Sequence, residues 1–327
     1  MAVLGENTKP YSLRKDEQCA QLCFQAFGTN CSLLLPYSEN QNLDFISEQV
    51  VLWVNNFEQR YSRYLENSWV TKVNLSAGKN EVSITTEDYE VLRAATFTFF
   101  QSKQAVDPSC LPLTQLWQKA KAIKSVPNEN QILEARNLVN WEWVEFTKTK
   151  IFLAQPGMGL DFGGFGKELA VDKVAELLKN QGYQRFLINF GGDIFASGEA
   201  DKNEAWRVGI EKPNEEGQPA YVLKLKNHAL ASSGNYRKFF DMSKKRYGHT
   251  LDPRTGYPTI HSDLSASIIT PSCLKSGILS TTCLLSGMEA GMRMIEAEWD
   301  TEGCIQSVNS SCTSNRFYDY VIYEKSA

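Results

Sequence analysis

Apolar side chains recur at helical spacing at Leu43, Ile46, Val50, Trp53, Phe57, Tyr61 and Tyr64. That periodicity predicts an amphipathic helix with one face on a core. A second helix is predicted from Glu87 to Gln101, and a third after Pro127, with Asn128 as its cap. Trp141 to Leu153 alternates apolar and polar positions, as a half-buried strand pair does. Lys167 to Gln181 reads as a helix burying Ala170, Val171, Val174, Leu177 and Leu178, with Gly182 at its end. Strands are predicted at Arg185 to Phe190, Trp206 to Ile210, Tyr221 to Leu225 and Tyr318 to Tyr323, and a helix at Leu279 to Met292. Helices and strands are interspersed without strict βαβ alternation. The expected class is therefore α+β, with a mostly antiparallel sheet rather than a doubly wound one.

The length of 327 residues allows one large domain or two tightly packed lobes, and 42% hydrophobic with 22% charged residues is ordinary for a folded chain. A formal net charge of −4, with no basic run carrying interleaved aromatics, gives no reason to bind nucleic acid. No apolar stretch approaches the roughly 18–20 residues of a membrane helix. The first residues lack the continuous apolar core of a secretory signal, so a cytoplasmic protein is expected unless a leader was removed. The eight cysteines make neither a CxxC pair nor a zinc pattern, and reduced, mostly buried thiols are expected.

Two turns concentrate glycine where the chain changes direction. Asp161-Phe-Gly-Gly-Phe-Gly-Lys167 leads into a helix, and Asn189-Phe-Gly-Gly-Asp193 follows a strand. Glycine lets backbone amides approach a ligand, and at a helix start those amides favour phosphate. Tight turns alone would use glycine in the same way. The first turn is not a P-loop, because Glu168 stands where Ser or Thr must follow Gly-Lys, and neither turn is a GxGxxG fingerprint.

Further along stand Ala231-Ser-Ser-Gly-Asn-Tyr-Arg237 and Arg246-Tyr-Gly-His-Thr-Leu-Asp-Pro-Arg-Thr-Gly-Tyr-Pro258. The latter resembles the most specific signature of the ApbE-type FAD:protein FMN transferase family, a histidine just before Leu-Asp-Pro-Arg-Thr-Gly. The former is similar to that family's Ser-Gly-Asp/Asn-Tyr-Arg segment, and the two glycine turns resemble its earlier motifs in the same order. Gly28-Thr29, Ser62-Arg63-Tyr64 and Ala105-Val-Asp-Pro108 with Leu111, Pro112 and Trp117 extend the likeness from about Gly28 onward. The expected organisation is an extension over 1–27 and one ApbE-like domain over 28–327.

The resemblance implies an enzyme that uses FAD and magnesium, cleaves the pyrophosphate and passes FMN as a phosphoester to a Thr or Ser of an acceptor protein. It implies His249 as the catalytic residue, and an imidazole titrating near pH 6.5 is the natural base. A histidine capping the adjacent turn is the structural alternative. Gly28, Thr29, Tyr64, Asp107, Lys167, Asp172, Gly191, Gly192, Asp193, Ser233, Tyr236 and Arg237 are the implied flavin- and phosphate-contacting positions. Tyr64 could cover the isoalloxazine or simply continue the apolar stripe of its helix. Arg237 could clamp phosphate or pair with a surface carboxylate.

The implied metal positions are the Gly166 carbonyl and Thr281. Here the chain departs from the family, because Gly277 in Ser276-Gly-Ile-Leu-Ser-Thr281 stands where a metal-binding aspartate is usual. Magnesium prefers charged oxygen ligands, so weak binding is expected, improved by an aspartate at 277. Glu168, where the family usually has glycine, could substitute as a ligand or lie exposed on its helix. Two other functions share the same flavin site: a flavin-binding protein that has lost transfer, and an FAD pyrophosphatase releasing FMN and AMP.

Overall fold

The computed structural model describes residues 10–16, 19–37, 42–201, 204–213, 215–234, 239–242, 245–248, 250–259, 261 and 264–324. Three strands open the chain: β1 (Tyr11–Lys15), β2 (Cys19–Ala26) and β3 (Thr29–Pro36). Then come α1 (Leu43–Tyr61), α2 (Trp69–Leu75), β4 (Val82–Ser83), α3 (Thr86–Gln101), α4 (Leu111–Ile123), α5 (Glu129–Arg136), β5 (Val144–Phe146) and β6 (Lys150–Leu153). The middle holds α6 (Gly166–Asn180), β7 (Phe186–Phe190), β8 (Asp193–Ser197), β9 (Trp206–Lys212), β10 (Glu215–Leu225) and β11 (His228–Gly234). Short hairpins follow, β12 (Phe239–Met242) with β13 (Lys245–Gly248) and β14 (Leu251–Asp252) with β15 (Tyr257–Pro258). The chain closes with β16 (Ser265–Thr270), α7 (Cys273–Ser286), α8 (Met288–Ala297), β17 (Glu302–Gln306), β18 (Ser311–Thr313) and β19 (Val321–Glu324).

Among the described residues the main sheet has nine strands in the order β1-β2-β3-β7-β8-β11-β16-β17-β18, and every neighbouring pair is antiparallel. This is the expected α+β class in one domain. Period-two alternation divides its residues between two cores. Phe186, Ile188 and Phe190 of β7 join the core under α1 and α6, whereas Leu187 packs on the opposite side with Trp206, Val208 and Leu223 of β9 and β10.

The helix over 43–61 forms as its pattern predicts, with Asn42 capping it through the Phe45 amide. Asn128 caps α5 with a full capping box, in which Gln131 returns the bond. Four expectations change. The segment 1–27 is not merely an extension, because β1 and β2 lie in it and pair through to β3, burying Ala20, Leu22 and Phe24. The helix expected over 279–292 is two helices. It starts at Cys273, where Ser272 caps it, and breaks at Gly287, whose φ of 82° no helix interior adopts. The strand expected from Tyr318 is β19, preceded by a 3₁₀ turn over Phe317–Asp319. The strand pair expected over 141–153 forms as β5 with β6, but its first three residues, Trp141–Trp143, are a 3₁₀ turn. All eight cysteines are free, with Cys31, Cys273, Cys283 and Cys304 buried and Cys312 exposed.

Candidate functional site

The start of α6 is where the glycine segments meet. Among the described residues no side chain caps this helix, and Gly166, its first residue, is buried. Lys167, next along, reaches across to the β7–β8 turn, donating to the Phe190 carbonyl at 3.2 Å and forming a salt bridge with Asp193. That turn is the two-residue loop Gly191-Gly192, closed by the pairing of Phe190 with Asp193. Both glycines have positive φ, 62° and 100°, which this tight hairpin turn demands. Asn189 Oδ1 accepts from the Gly192 amide at 2.8 Å.

A second hairpin turn, Phe27-Gly28 between β2 and β3, lies alongside. The Gly191 amide donates to the Asn30 carbonyl at 3.0 Å. A Cβ added at Gly191 would lie 2.4 Å from Thr29 Oγ1 and 2.6 Å from its Cγ2. Gly28, Thr29, Gly191, Gly192, Lys167 and Asp193 are therefore one neighbourhood, assembled from residues far apart in the chain.

Asp193 is buried on β8 beside Lys167 and Glu168. Burial, and next the negative charge of Glu168, push its carboxyl well above the usual carboxylate range, despite the Lys167 salt bridge. Burial alone would lower Lys167, but Asp193 and Glu168 outweigh it and hold the ammonium charged. On the far side of Glu168 runs α7, buried over nearly all its surface. Gly277 faces Glu168, and Thr281 stands one turn further along the same face. Ser233 on β11 meets this helix, its Oγ 2.8 Å from Ser280 Oγ and 3.0 Å from Thr281 Oγ1.

Tyr64 does not continue the stripe of α1. That helix ends at Tyr61, and the Tyr64 ring is 72% exposed. Arg63 holds it, with the guanidinium carbon 4.2 Å from the ring centroid and Nη2 donating to the phenol oxygen at 2.7 Å. Arg63 also pairs with Asp161 at 3.1 Å, tying the Tyr64 loop to the glycine turn before α6. Sequence reading missed this link. The arginine inside Ser62-Arg63-Tyr64 was its only signal.

Two expected ligand contacts are committed elsewhere. The Asp172 carboxylate accepts from Ser272 Oγ at 2.8 Å and from the amides of Cys273 at 2.8 Å and Leu274 at 2.9 Å. It thereby holds the start of α7, its three donors leaving it little to offer a flavin. Asp107 is buried and accepts from the Ser109 amide and hydroxyl at 2.7 Å each and from the Trp141 amide at 3.2 Å. It shapes the loop against which Asp161 packs, its amide bonded to the Pro108 carbonyl at 2.8 Å. Burial raises both carboxyls, and these hydrogen bonds work against the rise.

His249, Tyr236 and Arg237 lie outside the described residues. The turn that follows His249 is described. Asp252 accepts from the Arg254 guanidinium at 2.9 and 2.8 Å, and the Gly256 amide closes back on the Asp252 carbonyl at 2.8 Å. Trp117 Nε1 donates to the Gly256 carbonyl at 2.8 Å, anchoring the turn on α4. Gly256 has a φ of 81° and sits where a Cβ would meet Ile132 Cγ2 at 2.6 Å.

A helix start reached by a lysine, two glycine hairpins and a hydroxyl-bearing helix face define a site suited to a phosphate-bearing ligand and a hard cation. The family model described as the ApbE family matches residues 27–305, and the chain belongs to that family. It is 28% identical to the FAD:protein FMN transferase of Klebsiella pneumoniae (strain 342) over 280 residues, 85% of this chain and 86% of that one. It is 29% identical to the FAD:protein FMN transferase of Treponema pallidum (strain Nichols) over 265 residues, 76% of this chain and 73% of the relative. Its fold is similar to the ApbE protein of Thermotoga maritima, with a TM-score of 0.83 at 24% identity over 94% of this chain and 100% of that one. The flavinyl transferase ApbE of Pseudomonas stutzeri, in its apo form, superposes with a TM-score of 0.81 at 22% identity over 96% and 98% of the two chains.

Proposed function

We propose that this protein is an FAD:protein FMN transferase. An acceptor Thr or Ser hydroxyl attacks the FMN phosphorus of FAD, the bond to the AMP phosphate breaks, and AMP leaves as the new phosphoester forms. The observation that carries the reading is the convergence of Lys167, Asp193, the Gly191-Gly192 turn and the Ser233–Thr281 contact on the start of α6, in a chain belonging to the ApbE family.

In this reading the glycine turns bring backbone amides against the pyrophosphate, and the Lys167 ammonium holds its charge beside them. Tyr64, exposed and oriented by Arg63, stacks on the isoalloxazine. His249 takes the proton of the acceptor hydroxyl, and Tyr236 and Arg237 hold the dinucleotide. The Gly166 carbonyl and Thr281 would hold magnesium, which supplies charge neutralisation at the pyrophosphate when bound. The Glu168 carboxylate oxygen beside them, buried and without a hydrogen-bond partner among the described residues, suits such an ion. The partner is an acceptor protein presenting a Thr or Ser. A reducing, cytoplasmic setting is part of the reading, supported by eight free cysteines. No helix among the described residues is long and apolar enough to cross a membrane.

The test is incubation with FAD, magnesium and a threonine-bearing acceptor domain, followed by denaturation and a search for flavin retained on the acceptor. Covalent flavin with stoichiometric AMP is expected. FMN and AMP without a labelled acceptor would make the protein a pyrophosphatase, and FAD binding without cleavage would make it a flavin carrier.

A further inference from the structure

Glu168 follows Lys167 in the first turn of α6 and is not exposed on the helix face. Its side chain crosses to α7 and lies over Gly277. A Cβ built on Gly277 would stand 2.4 Å from Glu168 Cγ, 3.0 Å from its Cδ and 3.1 Å from Oε1. The carboxylate thus occupies the volume that any side chain at 277 would need. Glu168 Oε2 is buried and has no hydrogen-bond partner among the described residues. Leaving a buried carboxylate oxygen unsatisfied costs about 1–3 kcal/mol or more, a cost that a bound cation would offset.

Charge points to the same conclusion. Glu168 and Asp193 are neighbours, and Lys167 makes its salt bridge with Asp193. Glu168 forms no salt bridge of its own among the described residues, a place that a cation would fill. The donors nearby are all oxygen. Thr281 lies one turn beyond Gly277 on the same face of α7, positioned by Ser233 at 3.0 Å, and the Gly166 carbonyl belongs to the same turn of α6 as Glu168. A carboxylate, a hydroxyl and a carbonyl, completed by water and substrate phosphate, suit a small hard divalent cation.

We infer that Glu168 supplies the carboxylate of a divalent-cation site shared with Thr281, replacing from α6 the acidic side chain that Gly277 on α7 lacks. The two positions are exchanged as a pair: glycine at 277 is what makes room for glutamate at 168. An aspartate at 277 is therefore no improvement by itself, contrary to the expectation from sequence, because it collides with Glu168.

The inference rests on the transferase reading for the identity of the bound phosphate ligand, and its test separates the two. Mn²⁺ affinity is measured by electron paramagnetic resonance on the FAD-bound full chain, and FAD affinity separately without metal. The variants are Glu168→Gln, Gly277→Asp, and the double change Glu168→Gly with Gly277→Asp, each checked for folding by circular dichroism. Glu168→Gln is expected to weaken Mn²⁺ binding by about tenfold or more while FAD still binds. Gly277→Asp alone gains no affinity, and the double variant, which moves the carboxylate across to α7, recovers most of what Glu168→Gln loses. Folded Glu168→Gln with unchanged Mn²⁺ affinity would overturn the inference, as would tighter binding in Gly277→Asp alone. Absence of Mn²⁺ binding to the FAD-loaded natural protein would overturn it too, leaving the two carboxyls to share a proton. Failure of the natural protein to bind FAD would instead count against the transferase reading.

Discussion

Asp172 on α6 and Ser272 at the start of α7 are joined by a 2.8 Å hydrogen bond across 100 residues of chain. The same carboxylate takes the amides of Cys273 and Leu274, so one helix supplies the cap of the next. Negative charge there also suits the α7 macrodipole. Replacing Asp172 by Ala leaves these donors facing a cavity and is expected to cost about 2–3 kcal/mol of stability. Chemical denaturation measures it. An unchanged midpoint, together with weakened FAD binding, would return Asp172 to the ligand.

Tyr64 makes the opposite prediction. Its ring is 72% exposed, so Tyr64→Ala should leave the melting temperature where it is. FAD affinity should fall by the worth of one aromatic contact, about 0.5–1.5 kcal/mol, and Tyr64→Phe should keep most of it. Flavin fluorescence titration distinguishes the three proteins. Equal affinities would take Tyr64 out of the flavin site.

The two turn glycines are not equivalent. Both have positive φ, so alanine is strained at either. At Gly191 the added methyl also meets Thr29 Oγ1 at 2.4 Å, whereas at Gly192 it meets nothing within 4 Å. Gly191→Ala should therefore lower the melting temperature more than Gly192→Ala, by an extra free energy of about 1–3 kcal/mol. Pairing Gly191→Ala with Thr29→Ala should recover part of the difference.

His249→Ala is expected to lower the transfer rate by about 10²-fold or more, with FAD binding largely spared. Single-turnover assays at saturating FAD read the first quantity and flavin titration the second. An unchanged rate would remove His249 from the role of base.

Local order in the chain was readable where one helix or turn is stabilised by its own residues. The stripe from Leu43 to Tyr61, the Asn128 capping box and the Gly191-Gly192 turn each depend on neighbours a few positions away, so spacing and residue type were enough. The motif order likewise led to the family, because short ligand-binding turns keep their residues together in sequence. Less readable were features whose partner lies far along the chain. Tyr64 shares the period of α1, yet the helix stops at Tyr61 and the ring turns outward under Arg63. Asp172 sits among flavin-motif residues but bonds to the start of α7.

The sequence by itself determined the α+β class, the glycine turns and the missing carboxylate at 277, all of which are properties of single positions or short windows. Tertiary structure alone decided what stands over Gly277. Glu168 and Gly277 are more than a hundred residues apart, and nothing local couples them. Only the packing of α6 against α7 puts the glutamate side chain into the space the glycine leaves. Whether a carboxylate is exposed on a helix or enclosed without a partner depends on which helix is laid across it, and that is set by the long-range burial of both helices on the sheet.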